Sequence, residues 1–172
     1  AIGENYAQEL ISKRDAAAAA EVHFIGQLQT NKVRQIAGLV SVYETVDRVR
    51  LAQEIAKRDP GARVLVQVTA AGEPGQGGCS LDELDAVVDG VVAEGLDLRG
   101  LMTVGPTEGG PEAARAGFRA VRAAVDRLGL VVCSMGMSDD LEVAVEEGST
   151  QVRIGSALFG PRPVHIERDQ VR

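Results

Sequence analysis

The sequence predicts an α/β fold, a (β/α)8 TIM-type barrel that is incomplete at the N-terminus because its first β/α unit is missing. Short β-branched runs alternate with amphipathic helical stretches, which is typical of βαβ units and a parallel sheet. Runs such as VLVQV and LVVC are almost continuously apolar, as expected for strands buried on both faces. Six clear units follow a short stub, and that number fits a barrel without its start better than a complete open sheet.

The strands are predicted from these apolar runs, taken in chain order. They cover residues 21–26, 41–46, 62–69, 98–105, 130–136 and 151–155, and AIG at 1–3 is the stub of another strand. No GxGxxG motif follows the first strand, so the sequence gives no support to a dinucleotide-binding fold.

The helices between the strands are predicted from their start signals and their apolar faces. The helix at about 4–14 has an inner face of small and aliphatic residues. The later start signals, in chain order, are Asp47, the capping-box pair Ser80 and Glu83, Pro111 at a first helical position, and the second capping-box pair Asp139 and Glu142.

Composition restricts the class of protein. The chain has 172 residues, of which 45% are hydrophobic and 25% charged, as in a single soluble domain. The net charge of −7 disfavours a nucleic-acid partner, and no apolar run approaches the ~20 residues of a membrane span. Cys79 and Cys133 have no metal-ligand spacing and indicate free thiols. These features predict one domain over residues 1–172, in the cytoplasm.

The stretch QVRIG, at 151–155, carries a single arginine. Strand alternation places Val152 and Ile154 on one face and Arg153 on the other, which in a barrel is the lumen. A buried charge needs a partner, because an unpaired ion in the interior is very costly. Arg153 can therefore contact a polar atom of a ligand, or it can pair with a structural carboxylate.

Hydroxyls and a glycine surround the end of the same stretch. Gly155 allows a ligand to approach the backbone, and the Ser156 hydroxyl adds a donor at the start of SALFG, where free N–H groups favour an anion. SMGMS places Ser134 and Ser138 at the same rim, although Ser138 could also cap a helix. Because (β/α)8 barrels often bind phosphate after their last two strands, the combination predicts a phosphorylated ligand.

Four stretches together resemble the pyridoxal-phosphate homeostasis protein family. They are GENYAQE, HFIGQLQTNK, LRGLMTVG and SMGMSDDLEVAVEEGSTQVRIGSALFG, and the resemblance covers essentially the whole chain. It implies the alanine-racemase-like barrel of fold-type III enzymes that use pyridoxal 5′-phosphate (PLP), with PLP as the cofactor at the C-terminal mouth.

The resemblance also implies a role for particular residues. Ser138, Gly155 and Ser156 would hold the phosphate, with Ser134 and Met135 lining it. Arg153 would face the pyridine nitrogen, where a positive charge disfavours protonation of that nitrogen. Asn5 would lie near the ring, and His23 would either line the mouth or have a structural role in its strand.

The sequence departs from the family in one respect. The family holds PLP as a Schiff base on a lysine that ends the first strand, in a motif of the S/T-K-T type, and this motif is not in the sequence. Lys13, Lys32 and Lys57 do not match that position. Since a full barrel takes ~250 residues, we expect that the first β/α unit is missing, either because the sequence is truncated or because the protein has lost its covalent anchor.

Three functions remain open at this point. The resemblance favours a PLP carrier in vitamin B6 homeostasis, without dedicated catalysis. Amino or keto acids would be further small molecules that bind at its site. A PLP-dependent amino-acid racemase needs an acid/base pair, and the sequence presents none. A barrel enzyme acting on another phosphorylated metabolite also fits Ser138 and Gly155, but no carboxylate pair accompanies them.

Overall fold

The computed structural model describes residues 1–70, 73 and 75–160, and its centre is one parallel β-sheet. Within the described residues the strands are β1 (Ile2–Glu4), β2 (Val22–Phe24), β3 (Val42–Val46), β4 (Arg63–Gln67), β5 (Asp97–Met102) and β6 (Val132–Ser134). Each strand pairs with its neighbours in sequence, in the order β1-β2-β3-β4-β5-β6. A doubly wound sheet would reverse this order at a switch point, so the consecutive order is that of a barrel.

Helices follow the strands and cover one face of the sheet. They are α1 (Ala7–Ser12), α2 (Arg14–Ala17), α3 (Thr30–Ile36), α4 (Val49–Arg58), α5 (Leu84–Ala93), α6 (Arg115–Arg127), α7 (Leu141–Glu146) and α8 (Ser156–Phe159). A 3-10 turn, Pro111–Ala114, precedes α6 and begins at the predicted proline. In the described part of the chain, no helix has the length and apolar character that crossing a bilayer requires.

The predicted helix starts are confirmed in part. The reciprocal hydrogen bonds of the Ser80–Glu83 pair form, with the Glu83 N–H 3.2 Å from Ser80 Oγ and the Ser80 N–H 3.0 Å from Glu83 Oε2, but they lie in a turn and α5 begins three residues later than predicted, after Glu83. The starts at Asp47 and Asp139 are wrong by one residue, because α4 and α7 follow Arg48 and Asp140. Neither of those two residues makes a side-chain cap bond.

The hydrophobic core lies between the sheet and the helices. Phe24, Tyr43 and Phe118 are among its largest buried side chains. A smaller apolar cluster, Val42, Leu65 and Met102, lies on the other face of the sheet, which is the lumen side. Alternation along β4 explains the division, because Val64 and Val66 join the helix-side core while Leu65 joins the lumen cluster.

The sheet is strongly curved, as a half-barrel. Ser134 on β6 donates a hydrogen bond of 2.7 Å to Glu44 on β3, although β4 and β5 lie between these strands. In a flat sheet, three strand spacings would separate β3 and β6 by roughly 14 Å. The contact therefore requires the lumen face to be concave.

The predicted strand at 151–155 is not formed. Gln151 makes one isolated bridge to Ser134, and the Arg153 N–H donates to the Gly136 carbonyl at 2.9 Å. β6 ends at Ser134, and the chain beyond it passes through Gly136, which has a φ of +96° and where a Cβ would lie 2.5 Å from Ala144 Cβ. The segment after Gln151 thus lies beside the end of β6 without becoming a strand.

Candidate functional site

Three residues predicted to bind phosphate come together beyond the end of β6. The Ser156 hydroxyl donates to Ser138 Oγ at 3.1 Å, and the Ala157 N–H donates to the same oxygen at 3.3 Å. Gly155 precedes them on an open surface, because a Cβ added there would meet no atom within 4 Å. The arrangement groups two hydroxyls and adjacent backbone beside free space, a donor set that suits an anion.

Arg153 points into the lumen, as strand alternation predicts. Its Nη1 donates to Ser134 Oγ and its Nη2 donates to the Thr103 carbonyl, both at 2.7 Å. Burial lowers the pKa of the guanidinium, while the charges of Glu44 and Asp140 act in the opposite direction. The guanidinium is therefore held between β5 and β6 by two hydrogen bonds.

Glu44 is the centre of the lumen network, and sequence reasoning missed it. Its residue is 0% exposed. One carboxylate oxygen accepts from His23 Nδ1 and from Gln151 Nε2, both at 2.5 Å, and the other accepts from Ser134 Oγ at 2.7 Å. Burial raises the pKa of Glu44, but the hydrogen bonds from His23 and Ser134 and the charge of Arg153 outweigh it, so the pKa is lowered.

Glu44 lies beside an irregularity in β3. The register shifts between Tyr43 and Val46, which both pack on the helix side. Glu44 and Thr45 therefore both lie between two residues that face the helices, whereas strict alternation would leave only one residue between them. Glu44 keeps the lumen-facing position that alternation from Val42 and Tyr43 gives it, and the extra residue of the irregularity is Thr45.

His23 is a buried structural residue of the lumen network. It lies within β2 between Val22 and Phe24, which face the helices, and it is 9% exposed. Its Nδ1 contacts Glu44, while Nε2 is buried without a hydrogen-bond partner among the described residues. The structure therefore supports the core interpretation of His23.

The remaining predicted residues lie in two other places. Asn5 follows β1 and is half-buried, and its carbonyl packs against Gly26, where a Cβ would lie 1.9 Å from Asn5 O. The Met135 side chain is 0% exposed in the helix-side core, with its sulfur 3.6 Å from Cys133 Sγ. The Met135 side chain faces the helices, because Met135 alternates with lumen-facing Ser134. That this residue lines the phosphate stays a prediction.

We expect the stability that Glu44 contributes to be lost in acid. Because folding lowers its pKa below the ordinary value of 4.5, the unfolded chain takes up this proton first as the pH falls. The contribution is therefore fully present above pH 4.5 and disappears as the pH falls through the folded-state pKa. Thermal unfolding of wild type and Glu44→Gln should show a Tm difference that narrows below this pH, and a constant difference would contradict the assignment.

Comparison with known proteins first defines the class. A family model described as alanine racemase, N-terminal domain, matches residues 1–163. An alanine racemase from Clostridium difficile has the same fold at 14% identity, with a TM-score of 0.70 over 95% of this chain and 45% of that one. The consecutive parallel half-barrel is thus an alanine-racemase N-terminal-type domain.

Closer relatives then define the family. A pyridoxal phosphate homeostasis protein of Pseudomonas aeruginosa is 41% identical over 169 residues, which are 93% of this chain and 74% of the relative. The Escherichia coli protein of the same name is 38% identical, over 93% and 75%. PipY of Synechococcus elongatus, solved with PLP bound, is 27% identical with a TM-score of 0.80, over 92% and 80%. The chain belongs to the pyridoxal phosphate homeostasis protein family.

Proposed function

We propose that the protein binds PLP and serves intracellular PLP homeostasis as a cofactor carrier without dedicated catalysis. The observation that carries the proposal is the grouping of Ser138, Gly155 and Ser156 beside open space, with Arg153 in the adjoining lumen. The relatives support it through their name, and PipY supports it because it has been solved with PLP bound.

The donor set fits the parts of PLP. Phosphate oxygens accept hydrogen bonds. In this proposal the Ser138 hydroxyl donates one, the Ser156 hydroxyl turns from Ser138 to donate another, and Gly155 leaves room for close approach. Arg153 faces the pyridine nitrogen and disfavours its protonation. When bound, PLP supplies an electrophilic aldehyde and an electron-withdrawing ring.

Three other predicted residues have secondary roles in the proposal. Asn5 lies near the ring, at the end of β1. Ser134 acts through Arg153, because its hydroxyl already contacts both that guanidinium and Glu44. Met135 contributes only its backbone, which joins β6 to Gln151 through an N–H donor at 3.0 Å.

The proposal extends to the architecture and the setting of the protein. We infer that the half-barrel is a sector of a (β/α)8 barrel whose first β/α unit is missing from this chain. The consecutive parallel order supports this, as does the match to about three quarters of the longer relatives. We place the single domain, residues 1–172, in the cytoplasm. Its small-molecule partner is PLP, and amino or keto acids are further ligands of the same site.

Vitamer binding tests the function. We expect PLP and pyridoxine phosphate to bind about a hundredfold more tightly than pyridoxal, because the phosphate gains two or more charge-assisted hydrogen bonds. Isothermal titration of the three vitamers measures this ratio. Ser138→Ala should weaken PLP binding by about tenfold, whereas the control Ser12→Ala, on exposed α1, should leave it unchanged. Equal affinity for PLP and pyridoxal would overturn the phosphate assignment.

A further inference from the structure

One hydroxyl joins the buried carboxylate of Glu44 to the guanidinium of Arg153. Ser134 Oγ donates to Glu44 Oε2 at 2.7 Å and accepts from Arg153 Nη1 at 2.7 Å. A serine hydroxyl has one hydrogen, and here Glu44 takes it. The lone pairs of Ser134 are therefore directed toward Arg153, so Glu44 determines that this hydroxyl acts as an acceptor for the guanidinium.

The same carboxylate supplies the larger of the two counter-charges that act on Arg153, the other being that of Asp140. Ser134 and the Thr103 carbonyl, which hold the guanidinium, are both neutral. Burial of Arg153 disfavours its charge, and Glu44 opposes that effect from the interior of the lumen. Without a compensating charge, a guanidinium with neutral contacts tends to turn toward solvent.

Glu44 is itself held in a fixed orientation. His23 and Gln151 donate to one oxygen from β2 and from the segment beyond β6, and Ser134 donates to the other. Three donors from three parts of the sheet leave the carboxylate one arrangement. Because Glu44 is fixed, the Ser134 hydroxyl that it orients is fixed as well, and so is the hydrogen bond from Arg153 to that hydroxyl.

We propose that Glu44 is a positioning residue that keeps the Arg153 guanidinium aimed at the ring nitrogen of the bound cofactor. The inference rests on the proposed function, since it concerns the same PLP site. Glu44 does not touch the cofactor; it acts through Ser134 and through its charge. This role separates recognition of the ring from recognition of the phosphate, which Ser138 and Ser156 provide.

A comparison of PLP with its 1-deaza analogue, in which carbon replaces the ring nitrogen, isolates the role of Arg153. We expect wild type to bind PLP about tenfold more tightly than the analogue, the value of about one charge-assisted hydrogen bond. Glu44→Gln, measured by isothermal titration, should lose most of this preference. Its preference for PLP over pyridoxal should remain, because the phosphate contacts are unchanged.

Two further variants make the result decisive. Ser134→Ala removes the bridging hydroxyl without removing a charge and should reduce the same preference, which covers the case in which Glu44→Gln does not fold. Glu4→Gln is the matched control, because Glu4 is a largely buried carboxylate whose partner is Lys13 on the helix side, at 3.3 Å. It should keep the wild-type preference.

The outcomes distinguish this inference from the proposed function. Wild-type preference for the ring nitrogen in folded Glu44→Gln or in Ser134→Ala would overturn the positioning role alone. Equal affinity of wild type for PLP and its 1-deaza analogue would also overturn it, because Arg153 would then not face the nitrogen. Equal affinity of wild type for PLP and pyridoxal would overturn the proposed function, and this inference with it.

Discussion

Glu44→Leu is expected to lower the free energy of unfolding by about 3–5 kcal/mol, the usual cost of removing one partner from a buried charged group. The substitution leaves the donors of His23, Ser134 and Gln151 without their acceptor. It also removes the larger of the two carboxylate charges, those of Glu44 and Asp140, that oppose the effect of burial on Arg153. Urea unfolding followed by circular dichroism measures the loss.

The control for this variant is a carboxylate of the same type on the surface. Glu21 pairs with Arg63 at 2.9 Å, both side chains are 46% exposed, and the other oxygen of Glu21 lies 3.9 Å from His23 Nε2, beyond hydrogen-bond distance. Glu21→Leu should cost less than about 1 kcal/mol, because solvent screens an exposed pair. Equal losses in the two variants would mean that the lumen network contributes no more than a surface ion pair.

Gly26→Ala is expected to cost about 3 kcal/mol and to weaken PLP binding, because a Cβ at this position would lie 1.9 Å from the Asn5 carbonyl oxygen. The neighbouring atoms are backbone, so relief requires the end of β1 to move away from β2. Asn5, which the proposed site places near the ring, would move with it. Urea unfolding measures the first effect and isothermal titration with PLP measures the second.

Gly77→Ala is the matched control for the glycine substitution. A Cβ there would meet only side-chain atoms of Gln67 and Gln27, at 3.4 Å and beyond, which is ordinary contact. Its stability and PLP affinity should remain close to wild type. If Gly26→Ala also behaved as wild type, the close approach of the two chain segments would not be needed for the site.

The sheet could be predicted from the sequence because its signals are local. Buried parallel strands such as VLVQV are continuously apolar, and the consecutive βα alternation indicates a barrel-type order. The predicted strands are longer than those observed, and 151–155 did not become one. At 151–155 the backbone turns beside Gly136, which has a positive φ and packs against Ala144, and such a tertiary contact is not visible in a local pattern.

The site was predictable where a side chain follows simple alternation. Arg153 points into the lumen as expected, and the same rule, applied to Met135, would have placed its side chain toward the helices. Alternation from Val42 and Tyr43 also places Glu44 on the lumen face, but a single carboxylate in a strand does not show by itself what it contacts. A charged residue within the apolar run SVYETV was the available signal, but its partners lie too far along the chain to be seen locally.

The consecutive strand order has a consequence for how the chain reaches this structure. Each strand pairs with the next one in sequence, so the sheet can grow by adding neighbours, with only short loops to close at each step. The contacts of Glu44 with Ser134 and Gln151 are different, since they join residues 90 and 107 positions apart. The polar lumen can therefore form only after the last unit has arrived, and the residues proposed to recognise the cofactor are completed at the end of folding.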